Sequence, residues 1–422
     1  MDFLQVHFLK KTEKKQPEMI YKEWGGKNPA AKSRLESADR TYCNFGWQTG
    51  DFPHFYAAII STLKSNTKVN FIIPFEKEHD KGVLLDLSFA LERFCNQEQK
   101  FVTVLVFENV GRAADRKLWE IIEASTSGSM GQNKQKIYGP MEATEHASEF
   151  VKKMKGGSTF TPAWQQLTRG NGNPLFQAYA DACRKFSEDF FKSSQFSNDN
   201  FRGKAKFVCI WDRVVPLKGG ANPQYNSSEA GNQQLCEKLL KDIPDLKAIF
   251  LVGTGFSSHT KKNISKVFDM GKFWEALPSI KGRLRQNGFF DYMTAMYNCD
   301  VVHVGMKSGG MDALGLLGQK VVFIETVHAH ELIQERIEYF HTKHITFVDV
   351  HRLPSPEGKA IESIRYSEPI PAPQKGFLKP ITSTIPKERI SEVETLKATK
   401  SDKFGQRDLA MITAKVTAMF SS

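Results

Sequence analysis

The residues best suited to chemistry lie in one short loop near residue 310. Ser308, Gly309 and Gly310 directly precede a helix-compatible segment. Glycines let backbone N–H groups approach an anion closely, and the N-terminus of a helix favours negative charge. The loop therefore predicts contact with a phosphorylated ligand. The alternative is that Ser308 only caps the helix and the two glycines form a close-packed turn.

A strand, a helix and a second strand are predicted around this loop. Residues 300–304 are a short β-branched run, residues 311–317 are compatible with a helix, and residues 320–324 are apolar again. This order predicts a βαβ unit. Open parallel sheets bind ligands at the carboxyl ends of their strands, so the loop is expected at such an edge.

A second glycine loop is predicted in the same half of the chain. Gly253, Thr254 and Gly255 follow the apolar run 248–252, which is typical of a buried strand. Glycines at this position permit close backbone approach, and a threonine hydroxyl can bond phosphate or ribose.

The stretch of residues 300–325 resembles the donor half of GT-B glycosyltransferases, in particular the members related to fucosyl- and heptosyltransferases. The similarity rests on the pattern G-x-x-S-G-x-x-D from Gly305 to Asp312, on a helix ending in Leu-Gly, and on the strand KVVFIE at residues 320–325. It covers about 26 residues. The resemblance implies an α/β fold with two Rossmann-like domains facing a cleft, in which these loops hold a nucleotide sugar.

The resemblance also implies roles for side chains of the second half. Arg213 and Lys218 would neutralise the diphosphate, Glu325 would meet ribose or sugar hydroxyls, and His328 would lie in the polar loop around the nucleotide. Asp312 completes the loop pattern. The loop after residue 213 departs from the H-x-R-x-G-D signature of fucosyltransferase-like relatives, and Arg213 is alternatively a surface partner of its neighbouring aspartate.

The first half contains a Gly50-Asp51 turn, which resembles the turn that opens the acceptor half of many GT-B enzymes. Asp51 or His54 would then serve as the general base for an acceptor hydroxyl or amide. The alternatives are that Asp51 is a helix cap and that His54 is an exposed loop histidine.

Length and composition favour a globular protein of two domains. The chain has 422 residues, with 40% hydrophobic and 25% charged residues. We predict an acceptor domain at residues 1–200, opening with an irregular arm of about 40 residues, and a donor domain at residues 201–422. A linker is expected near residues 193–204, and a terminal helix at residues 406–420 is expected to cross back onto the first domain.

Charge and cysteine usage exclude some classes of function. The net charge of +11 would attract anions, but no nucleic-acid motif is present. No apolar run is long enough to span a bilayer, and the start of the chain lacks the features of a secretion signal. The six cysteines are scattered without CxxC spacing, which predicts reduced core thiols and a cytoplasmic setting.

The sequence predicts no bound metal and no other cofactor. It has no D-x-D motif at a credible strand end and no His/Cys ligand cluster. The predicted function is transfer of a hexosyl or deoxyhexosyl group from a nucleotide sugar to a glycan, protein or small-molecule acceptor, without a metal.

Two other classes of function stay open. A Rossmann-type NAD(P) or nucleotide enzyme would need G-x-G-x-x-G after the first strand, which residues 46–50 do not supply. A non-catalytic α/β protein that binds a partner through its basic surface would fit the net charge. Turnover of a nucleotide sugar separates the latter from a glycosyltransferase.

Overall fold

The computed structural model divides the chain into two compact units. The first comprises Met1–Asn173, Lys281–Gly288 and Tyr339–His341, and the second comprises Pro174–Ile280, Phe289–Glu338 and Thr342–Ser422. The residues described are 4–10, 17–43, 54–56, 58–59, 62, 68–75, 91–92, 95, 99–108, 136–139, 142–143, 146, 178, 180–182, 204–213, 227–253, 264–275, 283–306, 309–316, 318–326, 345–350, 352–353 and 403–421.

The first unit is built on a five-stranded parallel sheet. Its strands are β1 (Leu4–Lys10), β2 (Arg40–Cys43), β3 (Val69–Phe75), β4 (Val102–Glu108) and β5 (Lys136–Tyr138). The order in the sheet is β1-β4-β3-β2-β5. From β2 the chain runs outward to β3 and β4, and then returns to place β5 on the other side of β2. The sheet therefore has a topological switch point between β2 and β5.

The prediction of an irregular arm at the N-terminus is wrong. The described residues there form β1 and two helices, α1 (Pro17–Lys27) and α2 (Pro29–Glu36). One face of α1 carries Tyr21 and Trp24, which pack with Leu9 and Leu35 in one apolar cluster. The pattern was missed because β1 is an edge strand with a half-exposed face, and the many lysines mask the short apolar stripe of α1.

The second unit is built on a six-stranded parallel sheet. Its strands are β6 (Lys206–Asp212), β7 (Leu246–Gly253), β8 (Val267–Asp269), β9 (Asp300–Met306), β10 (Lys320–Thr326) and β11 (Ile345–Val350). The order is β11-β10-β9-β6-β7-β8. With the strands numbered 1 to 6 within the unit and the sheet read from β8 to β11, this is the 3-2-1-4-5-6 order of a doubly wound Rossmann fold. Its switch point lies between β6 and β9.

Helices cover both faces of the second sheet. They are α3 (Glu229–Asp242), α4 (Gly271–Glu275), α5 (Arg283–Tyr297), α6 (Gly309–Leu316) and α7 (Gln406–Ser421). A short antiparallel pair, β12 (Arg352–Leu353) with β13 (Lys403–Phe404), precedes α7. Helices α3 and α7 share one apolar core with β6, β7, β9, β10 and β11. Two parallel Rossmann-like sheets confirm the predicted α/β class.

The terminal helix forms where the sequence predicts it. Leu409, Ile412, Val416 and Met419 recur at helical spacing and are buried in the core of the second unit, where α7 contacts α3 and strands β9 to β11. The expected crossing onto the first domain stays a prediction. So does the linker near residues 193–204, most of which lies outside the described residues.

Two predictions about the chain as a whole can be compared with the described residues. Cys43, Cys95, Cys209, Cys236 and Cys299 are buried free thiols, as predicted, and Cys183 lies outside the described part. None of the described helices combines the length and apolar character that crossing a membrane requires.

Candidate functional site

At the switch point of the second sheet, the carboxyl ends of β6, β7 and β9 lie side by side. In the register of the sheet, Trp211 of β6 lies opposite Gly305 of β9, and Asp212 lies opposite Gly253 of β7. The chain continues from β6 toward α3 and from β9 toward α6. Two helix N-termini therefore follow the two strands that border the crevice, which is the position where doubly wound folds bind phosphorylated ligands.

Glycine is required by the backbone at two of these strand ends. A Cβ on Gly253 would lie 2.3 Å from the carbonyl oxygen of Asp212, and the residue has a φ of +138°. A Cβ on Gly305 would lie 2.6 Å from the carbonyl oxygen of Trp211. Gly305 is the penultimate residue of β9, whereas the sequence placed it in the loop. Both glycines thus allow close contact between strands, and Gly253 also supplies a backbone conformation that other residues rarely adopt.

Asp212 is a buried charged group at this edge. Its side chain is 9% exposed, and its Oδ1 accepts a hydrogen bond from Nδ2 of Asn232 at 3.3 Å. Its Oδ2 is buried and has no hydrogen-bond partner among the described residues. Burial raises the pKa of Asp212 to about 6, with Ser227 and Asn232 acting in the opposite direction and Glu229 adding to the rise. A buried carboxyl group with an unbonded oxygen lowers the stability of the fold. Groups of this kind are enriched at functional sites.

Arg213 and the start of α3 are tied together by short hydrogen bonds. The Arg213 amide donates to Oγ of Ser227 at 2.9 Å, and the Ser227 amide donates to the Arg213 carbonyl oxygen at 2.7 Å. Ser228 then caps α3, because its Oγ accepts from the amide of Gly231 at 3.1 Å. The two ends of the loop between β6 and α3 are thereby fixed beside Asp212.

Helix α6 begins within the predicted glycine loop of residues 308–310. It starts at Gly309, and Ser308 lies outside the described residues, so its role as a cap stays a prediction. Met311 and Asp312 are buried in the first turn. A carboxylate in a first turn interacts favourably with the helix dipole, which gives Asp312 a structural role. Its contact with the ligand stays a prediction.

The structure brings several of the predicted donor residues to one edge of one sheet. Arg213, Gly253, Gly309, Gly310 and Asp312 lie at the ends of β6 and β7 or in the first turn of α6. The backbone of Glu325 lies near the end of β10, which is the neighbour of β9. Lys218, Thr254, Gly255 and His328 lie outside the described residues, and their roles stay predictions.

A buried polar pair supports the strands that border the crevice. Nε1 of Trp211 donates a hydrogen bond to Nδ1 of His303 at 3.0 Å, which joins β6 to β9. Burial lowers the pKa of His303 to about 3, and Gln319 acts in the opposite direction. His303 is therefore neutral, with its proton on Nε2 because Nδ1 accepts. Its role is to orient Trp211, and acid–base chemistry at neutral pH is excluded for it.

The first unit contains a hydrogen-bonded chain at its own switch point. The Thr62 hydroxyl donates to the carbonyl oxygen of Ala58 at 2.8 Å, so it must accept from the hydroxyl of Tyr42 at 3.0 Å. The Tyr42 oxygen must then accept from Nδ1 of His146 at 2.8 Å. This fixes the tautomer of His146, whose Nε2 carries the lone pair when the ring is neutral. Sequence analysis missed the pair because Tyr42 and His146 are 104 residues apart and neither lies in a motif.

The predicted acceptor residues are only partly described. Asp51 lies outside the described residues, and its role as a base stays a prediction. His54 is helical and fully buried, so the alternative of an exposed loop histidine is wrong. Residues 54–56 are helical, and this places His54 inside the fold. Among the described residues, no group of three potential metal ligands is found.

Comparison with known proteins identified similar solved structures. No protein-family model and no curated protein sequence matches the chain. The structure of a family 9 glycosyl transferase from Veillonella parvula covers 86% of this chain and 98% of its own, with 11% identity and a TM-score of 0.38. E. coli heptosyltransferase WaaC, solved with ADP-2-deoxy-2-fluoro heptose, covers 74% and 93%, with 10% identity and a TM-score of 0.35.

A third similar structure is the E. coli ADP-heptose lps heptosyltransferase II. It covers 76% of this chain and 92% of its own, with 10% identity and a TM-score of 0.36. All three are glycosyltransferases, the class of enzyme that the motif at residues 300–325 resembles.

The buried carboxyl group makes a testable prediction about stability. The pKa of Asp212 in the folded protein, about 6, lies above its ordinary value of 3.8, so the folded protein binds more protons between these pH values. Stability is therefore lost as the pH rises from about 4 to about 6. Asp212→Asn should be more stable than wild type by up to about 3 kcal/mol near pH 8, and this advantage should vanish below about pH 4.

Urea denaturation of both proteins across this pH range measures the difference. A constant difference between the two proteins at all pH values would contradict the assigned burial of the charge.

Proposed function

We propose that this protein is a nucleotide-sugar-dependent glycosyltransferase of the GT-B type, with its donor site at the switch point between β6 and β9. The observation that carries the proposal is the convergence of two helix N-termini and glycine-bearing strand ends at this edge. Backbone amides at α3 and α6 supply hydrogen-bond donors, and Arg213 supplies a positive charge. A nucleotide sugar brings a diphosphate of about two negative charges, which this edge suits.

The reaction would exchange one bond at the anomeric carbon. The bond from this carbon to the diphosphate oxygen breaks, and a bond to the acceptor oxygen or nitrogen forms. The nucleoside diphosphate leaves with the electron pair, while the acceptor proton goes to a base, for which Asp51 is the candidate. Amides, Arg213 and Lys218 would stabilise the charge that develops on the leaving diphosphate, so the proposed mechanism does not need a metal ion.

The identity of the donor is part of the proposal. The sequence favours a hexosyl or deoxyhexosyl group, whereas the similar E. coli structures are heptosyltransferases, one solved with an ADP-linked heptose analogue. The donor panel should therefore contain ADP-, GDP-, UDP- and dTDP-linked hexoses together with ADP-heptose. Acceptors remain a glycan, a protein or a small molecule.

Donor binding is expected to raise the melting temperature without a metal. At 100 times its dissociation constant, a bound donor stabilises the native state by about 2.7 kcal/mol. The shift should be equal in EDTA and in magnesium, and Arg213→Ala should reduce it. Lys241→Ala removes a positive charge from the last turn of α3 and serves as the matched control, since it should keep the shift. Loss of the shift in EDTA would contradict the metal-independent mechanism.

The acceptor side is tested by Asp51→Asn, which keeps the shape of the side chain and removes its basicity. If Asp51 is the general base, turnover of the donor should fall by about 100-fold or more, with donor affinity nearly unchanged. Steady-state kinetics combined with donor titration separates the two quantities. Unaltered turnover would make Asp51 a helix cap and leave the acceptor base unassigned.

A further inference from the structure

A buried carboxyl group lies at the proposed diphosphate site, where a negative charge has the wrong sign for the ligand. Asp212 ends β6 at the switch point, and its Oδ2 has no hydrogen-bond partner among the described residues. Building on the proposed function, we propose that Asp212 takes up a proton when the diphosphate of a nucleotide sugar binds. Affinity for the donor would then be coupled to the protonation of this one side chain.

The surrounding contacts hold the carboxyl group at this edge. Its Oδ1 is bound by Asn232, which is itself buried on the first turns of α3. A Cβ at Gly253 would touch the Asp212 carbonyl oxygen, so the ends of β6 and β7 are in direct contact. The side chain of Asp212 is thus bound by α3, and its backbone is held by the pairing of β6 with β7.

The charges around Asp212 leave its protonation finely balanced. Glu229 in the first turn of α3 raises its pKa, whereas Met306 of β9 and Gly253 of β7 carry no charge. Asp312 in the first turn of α6 is a second buried carboxyl group at the same edge. Arg213 follows it in the chain. Burial sets the pKa at about 6, so the free protein near pH 7 has a mostly ionised Asp212. A diphosphate nearby would raise the pKa further, because like charges in a buried setting are poorly screened.

A definite pH dependence of affinity follows from this coupling. Below about pH 6 the carboxyl group is already neutral, and affinity should be constant. Above about pH 6 the free protein must bind a proton to bind the donor, so affinity should fall by up to about tenfold for each pH unit. Asn at this position has the same shape and cannot ionise, so Asp212→Asn should bind the donor with little dependence on pH.

The experiment is isothermal titration calorimetry with ADP-glucose, UDP-glucose and GDP-mannose near pH 6, 7 and 8. Nucleotide sugars are used because their phosphates are esterified on both sides, whereas a terminal phosphate titrates near pH 6. The wild-type dissociation constant should rise more than about tenfold from pH 6 to pH 8. Asp212→Asn should show an almost constant value and bind more tightly than wild type near pH 8.

A matched variant and a proton count make the test specific. Asp242→Asn makes the same change in charge at the far end of α3, about 20 Å away, and should keep the wild-type pH profile. Titration near pH 8 in buffers of different ionisation enthalpy counts the protons taken up. We expect close to one for wild type and for Asp242→Asn, and close to none for Asp212→Asn.

The possible failures are distinguishable. A wild-type affinity that does not vary with pH, or an Asp212→Asn profile equal to that of wild type, would overturn the inference and leave the donor site intact. Weaker binding by Asp212→Asn at every pH would also overturn it, because the carboxylate would then be accepting a hydrogen bond from the ligand. If neither these three nucleotide sugars nor the other members of the donor panel bind at any pH, the proposed function fails together with the inference.

Discussion

The close parallel pairing of β6 with β9 and β7 is the constraint on which the candidate site depends. Where Gly305 and Gly253 face β6, a side chain would collide with backbone atoms of Trp211 and Asp212. The same pairing sets the level at which β6 ends, and therefore where α3 and α6 can begin. The hydrogen bond between Trp211 and His303 joins the two central strands below that level. The geometry of the proposed phosphate site thus follows from strand packing.

This edge combines stabilising and destabilising features. The cap at Ser228 and the bonds between Arg213 and Ser227 fix the entrance to α3. The carboxyl group of Asp212 is nevertheless buried with one oxygen lacking a partner in the described part of the chain. A protein selected only for stability would place a neutral or apolar residue there. If Asp212 is protonated when the donor binds, as proposed, its burial relates the stability of the fold to its proposed activity.

Much of the second unit could be predicted from sequence because its strands are buried on both faces. Apolar runs such as those of β6, β7, β9 and β10 have clear boundaries, and parallel sheets make such runs nearly continuous. Among the described side chains of β1 only Leu9 is buried, so its composition gave no clear signal. The short strand β8 has three residues, too few for a periodic pattern.

The candidate site was only partly accessible to sequence analysis. Ser308 to Gly310 and Gly253 were found because glycine loops after apolar runs have a local signature. The sequence indicates Asp212 only as the neighbour of Arg213, because the importance of Asp212 comes from its burial and from Asn232, which is 20 residues away. The pairing of Tyr42 with His146 depends on the order of strands in the first sheet. Long-range contacts of this kind cannot be read from spacing along the chain.

The central claim is that the edge bordered by β6 and β9 binds the diphosphate of a nucleotide sugar. Amide hydrogen exchange, resolved by peptide, tests it most directly when the protein is compared with and without a saturating nucleotide sugar. The account predicts that protection increases most in residues 213–232 and 305–316, where the amides of the two helix N-termini lie. Increased protection confined to residues 43–62 of the first unit, with these two segments unchanged, would contradict it.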